Sequence, residues 1–169
     1  MTEQIIAQSH AVRLRPTTDD DLDFVLATEQ AEENVLLVGQ WPRHQHREAL
    51  SNDDVAHLVV ETAADGRRVG YLILTGLAGA DSSVKLQRIT ITEKGKGLGR
   101  EALRLVKELV FGQFGAHRLW LDVRDSNERA RRLYQSEGFV FVGTLRKSSR
   151  VGDHIVRLHV LRILEHEYR

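Results

Sequence analysis

The chain has 169 residues, 41% hydrophobic and 28% charged, which predicts one globular domain with its own core rather than a disordered segment. Its 24 basic and 24 acidic residues cancel, so nothing in the charge balance favours nucleic acid or an anionic membrane as a partner. Cysteine is absent and no apolar run approaches a membrane span, so we expect a soluble, cytoplasmic protein without disulfides, thiolate metal sites or a cysteine nucleophile.

The N-terminal part predicts a short strand followed by a capped helix. Residues 1–10 look like a loose leader, and a single domain would occupy residues 11–169. Residues 11–15 alternate apolar and polar side chains as a strand does, and Pro16 ends the pattern because proline cannot donate to a strand ladder. Residues 18–21, Thr-Asp-Asp-Asp, then resemble a helix start with an acid three positions after the cap.

The next stretch is irregular and is followed by a run of strands. Trp41-Pro42 interrupts residues 31–52, although residues 44–50 predict a short polar helix. The strands after it are predicted at residues 57–62, 68–75 and 84–92. An Asp-Gly turn joins the first two, and the connections are too short to contain a helix. These strands should therefore be antiparallel neighbours.

A glycine-rich loop and an amphipathic helix come directly after these strands. The loop has Gly95, Gly97 and Gly99 within five residues, and the helix runs from Gly99 to about Gln113. Successive glycines let neighbouring N–H groups point toward a ligand, and the helix adds its unpaired first-turn donors and positive dipole end. The loop also carries three cations, Lys94, Lys96 and Arg100. These features predict a binding site for a phosphorylated ligand, above all a pyrophosphate.

Two other phosphate-binding motifs fit this loop less well. A nucleoside-triphosphate loop needs Ser or Thr after Gly-Lys, and here Gly97 follows Lys96. The run from Gly97 to Ala102 satisfies the G-x-G-x-x-A dinucleotide fingerprint, and Asp122 stands at a suitable distance downstream. A dinucleotide domain begins with its glycine loop, however, whereas this loop lies past the middle of the chain. A dinucleotide-dependent oxidoreductase stays open as an unfavoured alternative.

The C-terminal part predicts one parallel crossover and a closing pair of strands. Residues 117–123 read as a strand that the preceding helix makes parallel to the strand before the glycine loop. Asn127 caps a helix over residues 128–137, and strands at 139–145 and 156–164 close the chain. The predicted fold class is therefore α/β (α+β), a mixed, mostly antiparallel central sheet of about seven strands with helices on both faces.

This order of elements, with two motifs in it, resembles the GNAT superfamily of N-acetyltransferases. The first motif is Lys94-Gly-Lys-Gly-Leu-Gly99, where lysine replaces the arginine or glutamine usual at its first position. The second, Asn127-Glu-Arg-Ala-Arg-Arg-Leu-Tyr-Gln-Ser-Glu-Gly-Phe139, is similar to the family's Asn-x-x-Ala-x-x-x-Tyr-x-x-x-Gly-Phe signature. The resemblance covers about residues 12–165, and it is nearest to the group that contains ribosomal-protein N-terminal acetyltransferases and spermidine acetyltransferases.

The resemblance implies that two parallel strands splay apart and that acetyl-CoA lies in the gap. Pantetheine would pair with the main chain along Ile89 to Ile91, and the diphosphate would lie on the glycine loop. The cofactor-binding residues implied in this way are Ile89, Thr90, Ile91, Lys94, Gly95, Lys96, Gly97, Leu98, Gly99, Arg100 and Asn127. The resemblance also implies acetyl transfer to a primary amine, in a small molecule or at a peptide N-terminus, by direct attack in a ternary complex. The resemblance is also compatible with a homodimer.

Tyr134 is the candidate catalytic residue. It shares a helix face with Asn127 and Ala130, and the resemblance implies that it protonates the departing CoA thiolate. A phenol suits this task because it is protonated at neutral pH and its pKa is close to that of a thiol. The plainer alternatives are a tyrosine half-packed on the core and an asparagine that only caps its helix.

The general base and the acceptor pocket have no clear signature. The strand over residues 84–89 has no carboxylate, and Glu93 sits beside the phosphate loop. This missing acid favours a second alternative, a catalytically silent CoA-binding protein of the same fold. Glu32 and Glu33 could attract a cationic amine or simply be solvated, and Trp41 could wall the acceptor pocket or pack on the sheet.

No metal is expected. His44 and His46 stand two residues apart in a polar segment, but no further ligand is near in sequence. We expect both side chains to be exposed.

Overall fold

One mixed sheet forms the centre of the protein. The computed structural model describes residues 4–31, 40–151 and 154–168. The strands are β1 (Ala7–Gln8), β2 (Val12–Pro16), β3 (Val55–Thr62), β4 (Arg68–Thr75), β5 (Ser83–Ile91), β6 (Arg118–Arg124), β7 (Val140–Val151) and β8 (His154–Leu164). They lie in the order β1-β2-β3-β4-β5-β6-β8-β7, and only the pairing of β5 with β6 is parallel among the described strands. The mixed sheet with one parallel crossover is confirmed.

Four of the five described helices lie at the predicted places, and the short one at the C-terminal end was not predicted. The five are α1 (Leu22–Gln30), α2 (Arg43–Ala49), α3 (Leu98–Glu108), α4 (Glu128–Ser136) and α5 (Glu165–Tyr168). Before α1, the Asp21 carboxylate accepts the Thr18 N–H at 2.8 Å, which is the capping arrangement that the sequence predicted. After α3, the chain continues in a π-helical turn, Leu109–Gln113, so the expected helical span to about Gln113 is also confirmed.

The sheet has one more strand than the sequence predicted. Ala7 and Gln8 pair with Leu14 and Arg13 of β2, so the ordered sheet begins inside the stretch that was expected to be a loose leader. The Ile6 N–H donates to the Leu14 carbonyl at 2.9 Å, and the Ile6 side chain packs against the main core. A strand of two residues is too short to show an alternating pattern, so it could not be predicted from the sequence.

Strand β4 separates the two layers of the core because both of its faces are buried. Leu72 and Leu74 belong to the main cluster with α3, whereas Tyr71 and Ile73 pack with Val25 of α1. The hairpin register shifts between Ile73 and Leu74, because Ile73 pairs with Arg88 but Leu74 pairs with Leu86. The chain thus places an apolar residue on the α3 face at 86 and polar residues on the α1 face at 88 and 90.

Strands β5 and β6 separate after a short stretch of pairing. Their register runs only from Ser83 opposite Arg118 to Lys85 opposite Trp120, and the Lys85 ammonium then bonds Asp122 at 3.0 Å. Beyond Lys85, β5 keeps β4 as its neighbour up to Ile91, whereas β6 keeps β8 up to Arg124. The facing edge of β5 from residue 86 onward therefore has no strand partner in the described structure, and the implied splay is confirmed.

Candidate active site

A cleft opens where β5 and β6 separate. Its volume is about 940 Å³, near the upper end of the roughly 300–1,000 Å³ typical of small-molecule sites, which suits a large nucleotide cofactor. The end of β5, the glycine loop, the start of α3 and helix α4 form its walls. The predicted site residues that line it are Ile89, Thr90, Ile91, Lys94, Gly95, Gly97, Leu98, Gly99, Arg100, Asn127 and Tyr134.

The glycine loop presents open space and main-chain donors to this cleft. Gly95 and Gly97 have φ angles of 81° and 76°, and a Cβ atom built on either would meet no atom within 4 Å. Gly97 is the N-cap of α3, and the first helical bond runs from the Glu101 N–H to the Gly97 carbonyl at 3.1 Å. The N–H groups of the first helical turn precede that bond and have no side-chain cap at Gly97, so they are available to an anion.

The cations around the loop have separate environments. The Lys94 ammonium donates to the Ile91 carbonyl at 3.1 Å and stays on the cleft wall. Lys96 instead turns to Glu93 at 2.9 Å, and it does not line the cleft, unlike the other residues of the loop motif. Glu93 also binds Arg67 at 2.9 Å, and its bonds to Lys96 and Arg67 lower its pKa. Cations thus occupy both carboxylate oxygens of Glu93.

Helix α4 places Asn127 and Tyr134 on the cleft. Asn127 is the N-cap, and its Oδ1 accepts the Ala130 N–H at 3.3 Å, so the capping role is present while the amide NH₂ remains a separate donor. Tyr134 is buried and packs edge-on against Phe139, with ring centroids 5.8 Å apart. Burial, followed by the nearby charge of Asp122, raises the Tyr134 pKa. Its phenol stays protonated at neutral pH, as a proton donor must.

Glu137, at the end of α4, joins this helix to α3. Its buried carboxylate binds Arg100 at 2.7 Å, Arg104 at 3.0 Å and Lys107 at 3.2 Å. Burial alone would raise the pKa of Glu137, but the bonds from these three cations outweigh it and lower the pKa to about 2. Because Arg100 and Tyr134 both line the cleft, this ion cluster fixes the spacing of two of its walls.

The predicted acceptor residues are placed only in part. Glu32 and Glu33 lie outside the described residues. Trp41 is half-buried, with the Arg88 guanidinium 5.0 Å from its ring and the His46 ring 5.3 Å away. It also packs on the small cluster that contains Tyr71, so packing on the sheet is one of its roles, and the wall of an acceptor pocket stays a prediction.

The expectation for His46 was wrong. Its side chain is fully buried, and its two ring nitrogens contact Glu29 at 2.9 Å and His57 at 3.0 Å, whereas His44 is exposed as expected. The residues on both sides of His46 are polar and exposed, so the sequence pattern did not indicate that this one side chain points into the core. No group of three His, Asp or Glu side chains within residues 4–31, 40–151 and 154–168 has an arrangement that could hold a metal. None of the helices described in these ranges is long and apolar enough to cross a membrane.

Comparison with known proteins gives the class that the fold and the cleft indicate. The profile of the acetyltransferase (GNAT) domain family matches residues 11–140, and the chain belongs to this family. An uncharacterized N-acetyltransferase of Mycobacterium tuberculosis is 34% identical over 102 residues, which are 60% of this chain and 63% of that relative. The match thus spans less than two thirds of the length of this relative.

Longer but more distant similarities cover almost the whole chain. The spermidine N(1)-acetyltransferase of Escherichia coli is 25% identical over 171 residues, covering 95% of this chain and 89% of the relative. Among solved structures, a probable GNAT acetyltransferase of Chromobacterium violaceum superposes with a TM-score of 0.84 at 19% identity, covering 99% of this chain and 89% of the other. A chimera of Vibrio cholerae spermidine N-acetyltransferase and hSSAT gives 0.83 at 21% identity, covering 95% and 98%. These structures establish the fold.

The dinucleotide alternative is wrong. Gly97-x-Gly99-x-x-Ala102 fits the fingerprint, but a dinucleotide domain repeats parallel βαβ units, and the described strands contain one parallel pair. The match reflects the shared use of glycine before a helix N-terminus, which serves phosphate binding in unrelated folds.

Proposed function

We propose that the protein is an acetyl-CoA-dependent N-acetyltransferase that acts on a primary amine, by direct attack in a ternary complex. The observation that carries this proposal is one cleft that combines an unpaired strand edge, an uncapped helix N-terminus and a protonated tyrosine. Each has a counterpart in acetyl-CoA: the amides of pantetheine, the diphosphate and the thiolate leaving group. Cysteine is absent from the chain, which leaves no thiol to carry an acetyl-enzyme intermediate.

The residues present fit this cofactor. The glycine loop with the first turn of α3 would hold the diphosphate, because its main-chain donors face open space that any side chain at 95 or 97 would begin to fill. The free edge of Ile89 to Ile91 would bind the amide groups of pantetheine as a neighbouring strand would. When bound, acetyl-CoA supplies an activated acetyl group. Main-chain N–H groups on this edge are suited to stabilise the oxyanion, at about 3 kcal/mol of barrier for one donor.

Tyr134 would complete the reaction as the general acid. Tyr134 lines the cleft, and burial raises its pKa and keeps the phenol neutral. A proton given to the leaving sulfur prevents the thiolate from reversing the reaction, because a thiol is a poorer nucleophile than its thiolate. Asn127 would donate its free amide NH₂ to the cofactor while its Oδ1 keeps the helix capped.

The acceptor is a small-molecule amine or a peptide N-terminus. The similarity to spermidine acetyltransferases supports the class of acceptor, an amine, but not its identity. On the α1 side of the cleft the described charges have both signs, with Arg88 paired to Glu29 and Lys85 paired to Asp122. A strongly acidic lining for a polyamine is not evident among these residues, so the acceptor screen should include neutral and anionic amines.

Release of CoA thiol from acetyl-CoA, measured against a panel of amines, tests the proposal. The panel comprises spermidine, glucosamine, glycine and a tripeptide with a free N-terminus, and we expect at least one to be acetylated. A catalytically silent CoA-binding protein is the second candidate, since no carboxylate of β5 faces the cleft. CoA-dependent thermal stabilisation without thiol release would support that candidate, whereas neither response would contradict both.

A further inference from the structure

A continuous chain of polar side chains is buried on the α1 face of the sheet. The Thr17 hydroxyl lies 2.8 Å from His57 Nδ1, His57 Nε2 lies 3.0 Å from His46 Nδ1, and His46 Nε2 lies 2.9 Å from Glu29 Oε1. Arg88 also donates to Glu29 Oε1. Glu29 and His46 have no exposed surface, and the other three side chains are nearly as buried. Packing alone does not call for five linked polar groups at such depth.

The hydrogen-bond directions in this chain follow from its charges. Glu29 already faces the positive charge of Arg88, and a protonated His46 would add a second buried cation without a second anion. We therefore assign the hydrogen bonds so that every donor points toward Glu29: Thr17 to His57, His57 to His46, and His46 to Glu29. Burial, with His46 and Arg88 as neighbours, lowers the pKa of His57 to about 3, in agreement with a neutral ring.

Three buried polar atoms beside this chain lack a well-aligned hydrogen bond in the described part of the protein, although Glu29 and Arg88 lie close enough to the Tyr71 hydroxyl to influence its pKa. They are Glu29 Oε2, the Tyr71 hydroxyl and Thr90 Oγ1. Tyr71 and Thr90 are register partners on adjacent strands, so their side chains stand about 5 Å apart on one face. Arg88, which holds Glu29, precedes Thr90 by two residues on that face. Each unsatisfied buried group costs about 1–3 kcal/mol. Three such groups together indicate a site where a bound polar molecule supplies the missing hydrogen bonds.

The position of these atoms connects them to the cleft. Thr90 lines the cleft, in the segment of β5 where we place the thioester, while its hydroxyl lies on the face of Tyr71 and Glu29. A water bound to the three atoms would make about three hydrogen bonds, the usual number for a buried water. It would join the cleft to a carboxylate that no other part of the proposed mechanism uses.

We infer that Glu29 is the proton acceptor for the attacking amine and that it works through a water held by Tyr71 and Thr90. This inference rests on the proposed acetyltransferase function. The ammonium form of the acceptor releases one proton through the water to Glu29 Oε2, and the neutral nitrogen attacks the thioester carbon. As the C–N bond forms and the C–S bond breaks, the nitrogen loses a second proton to solvent. Tyr134 gives its proton to sulfur and regains one from solvent. Glu29 returns its proton to solvent through the same water before the next turnover, so each acetyl transfer releases one proton in total.

His46 and His57 are positioning residues in this scheme. The His46 Nε2–H holds Glu29 Oε1, together with Arg88, which leaves Oε2 as the oxygen that is free to receive a proton. The charged and titratable groups that face Glu29 are His46 from α2, Arg88 from β5 and Tyr71 from β4, with His57 of β3 behind His46.

Glu29→Gln is the direct test, and Glu61→Gln is its matched control. Both carboxylates are buried and paired with arginine, but Glu61 binds Arg13 and Arg15, away from the cleft. With the panel amine that releases thiol fastest, Glu29→Gln should lower kcat about 100-fold or more, while the Kd for CoA stays within about twofold. Its kcat/KM should rise about tenfold per pH unit, because only the neutral fraction of the amine can react. Glu61→Gln should keep the wild-type pH profile.

Tyr71→Phe tests whether the Tyr71 hydroxyl takes part in proton transfer or only stabilises the fold. It also provides a test if Glu29→Gln does not fold. Removal of an unsatisfied buried hydroxyl should leave the melting temperature unchanged or raise it. A relay predicts that kcat nevertheless falls about tenfold or more. An unchanged kcat in Tyr71→Phe, or a Glu29→Gln profile identical to that of Glu61→Gln, would overturn the inference. If wild type binds CoA but acetylates no amine, the proposed function itself fails, which is a distinguishable result.

Nitrogen NMR of the histidine rings checks the arrangement without any acceptor. At pH 7 the wild-type protein should show His46 and His57 as neutral rings protonated at Nε2. An imidazolium signal, or a proton on Nδ1 of either ring, would contradict the direction of the chain toward Glu29. Either observation would remove the argument that Oε2 is the receiving atom.

Discussion

Substitution of one loop glycine tests the phosphate cradle with a control from the same chain. Gly97→Ala adds a methyl group at φ 76°, toward space that is empty to 4 Å and that we assign to the diphosphate. Gly115→Ala adds the same group at φ 64°, also with no atom within 4 Å, at a position that does not line the cleft. The two variants therefore share the backbone strain, and only Gly97→Ala places its methyl group against the proposed ligand.

The magnitudes follow from that comparison. A non-glycine residue in the left-handed region costs roughly 1–2 kcal/mol, so both variants should melt about 2–8 °C below wild type. Gly97→Ala should also lose at least one main-chain bond to a charged phosphate, worth about 1.5–3 kcal/mol. That loss corresponds to a Kd for CoA roughly 10- to 150-fold weaker than that of wild type.

Calorimetric titration with CoA and with pantetheine, which lacks the diphosphate, provides the assay. Gly97→Ala should weaken CoA binding, whereas the pantetheine affinity and both affinities of Gly115→Ala should match wild type. Equal CoA affinity in the two glycine variants would refute the assignment of the loop to the diphosphate. Equal loss of CoA and pantetheine affinity in Gly97→Ala would instead indicate a distorted cleft.

Three further substitutions have distinct expected outcomes. Tyr134→Phe should lower kcat about 100-fold and leave the Kd for CoA unchanged in rapid-quench and titration measurements, and an unchanged kcat would remove Tyr134 from the chemistry. Asn127→Asp keeps the capping oxygen but loses the amide donor, so CoA affinity should fall while the melting temperature is retained. Glu137→Gln should destabilise the fold by about 1–3 kcal/mol, because it removes the charge that pairs with the buried Lys107 ammonium, whereas Arg100 and Arg104 are exposed enough to stay solvated. The folded-state pKa of Glu137, about 2, lies below its ordinary value of 4.5, so its contribution is complete above pH 4.5 and disappears as the pH falls toward 2. Urea unfolding should show this acid-dependent loss in wild type but not in Glu137→Gln, and parallel pH profiles would contradict it.

Local sequence patterns predicted the parts of the cleft that depend on local structure. The glycines before α3 and the cap at Asn127 each act within a few residues, so spacing was sufficient. The crossover followed from a single helix between two strands, which makes those strands parallel. The splay of β5 from β6 depends on which strand β6 pairs with next, and it entered only through the resemblance. Lys96 pairs with Glu93 in the structure, and its expected contact with the ligand stays a prediction.

The buried polar chain was missed because its partners are far apart in sequence. His46 stands in a helix whose residues are almost all polar, and its burial depends on Glu29 and His57 of other elements. Tyr71 occurs within an apolar strand, where a tyrosine is expected to pack. The register shift that places Arg88 and Thr90 on the face opposite to Leu86 depends on pairing with β4. The available signal was the spacing of His44 and His46. Two residues apart on one helix, they cannot both point to the same side.

A crystal structure of the protein with acetyl-CoA would test the central claim most directly. The account predicts that phosphate oxygens lie about 3 Å from main-chain N–H groups between Gly95 and Gly99, with the thioester between β5 and Tyr134. Density for the diphosphate at any other surface, or a pantetheine arm that leaves the edge of Ile89 to Ile91 unpaired, would contradict it.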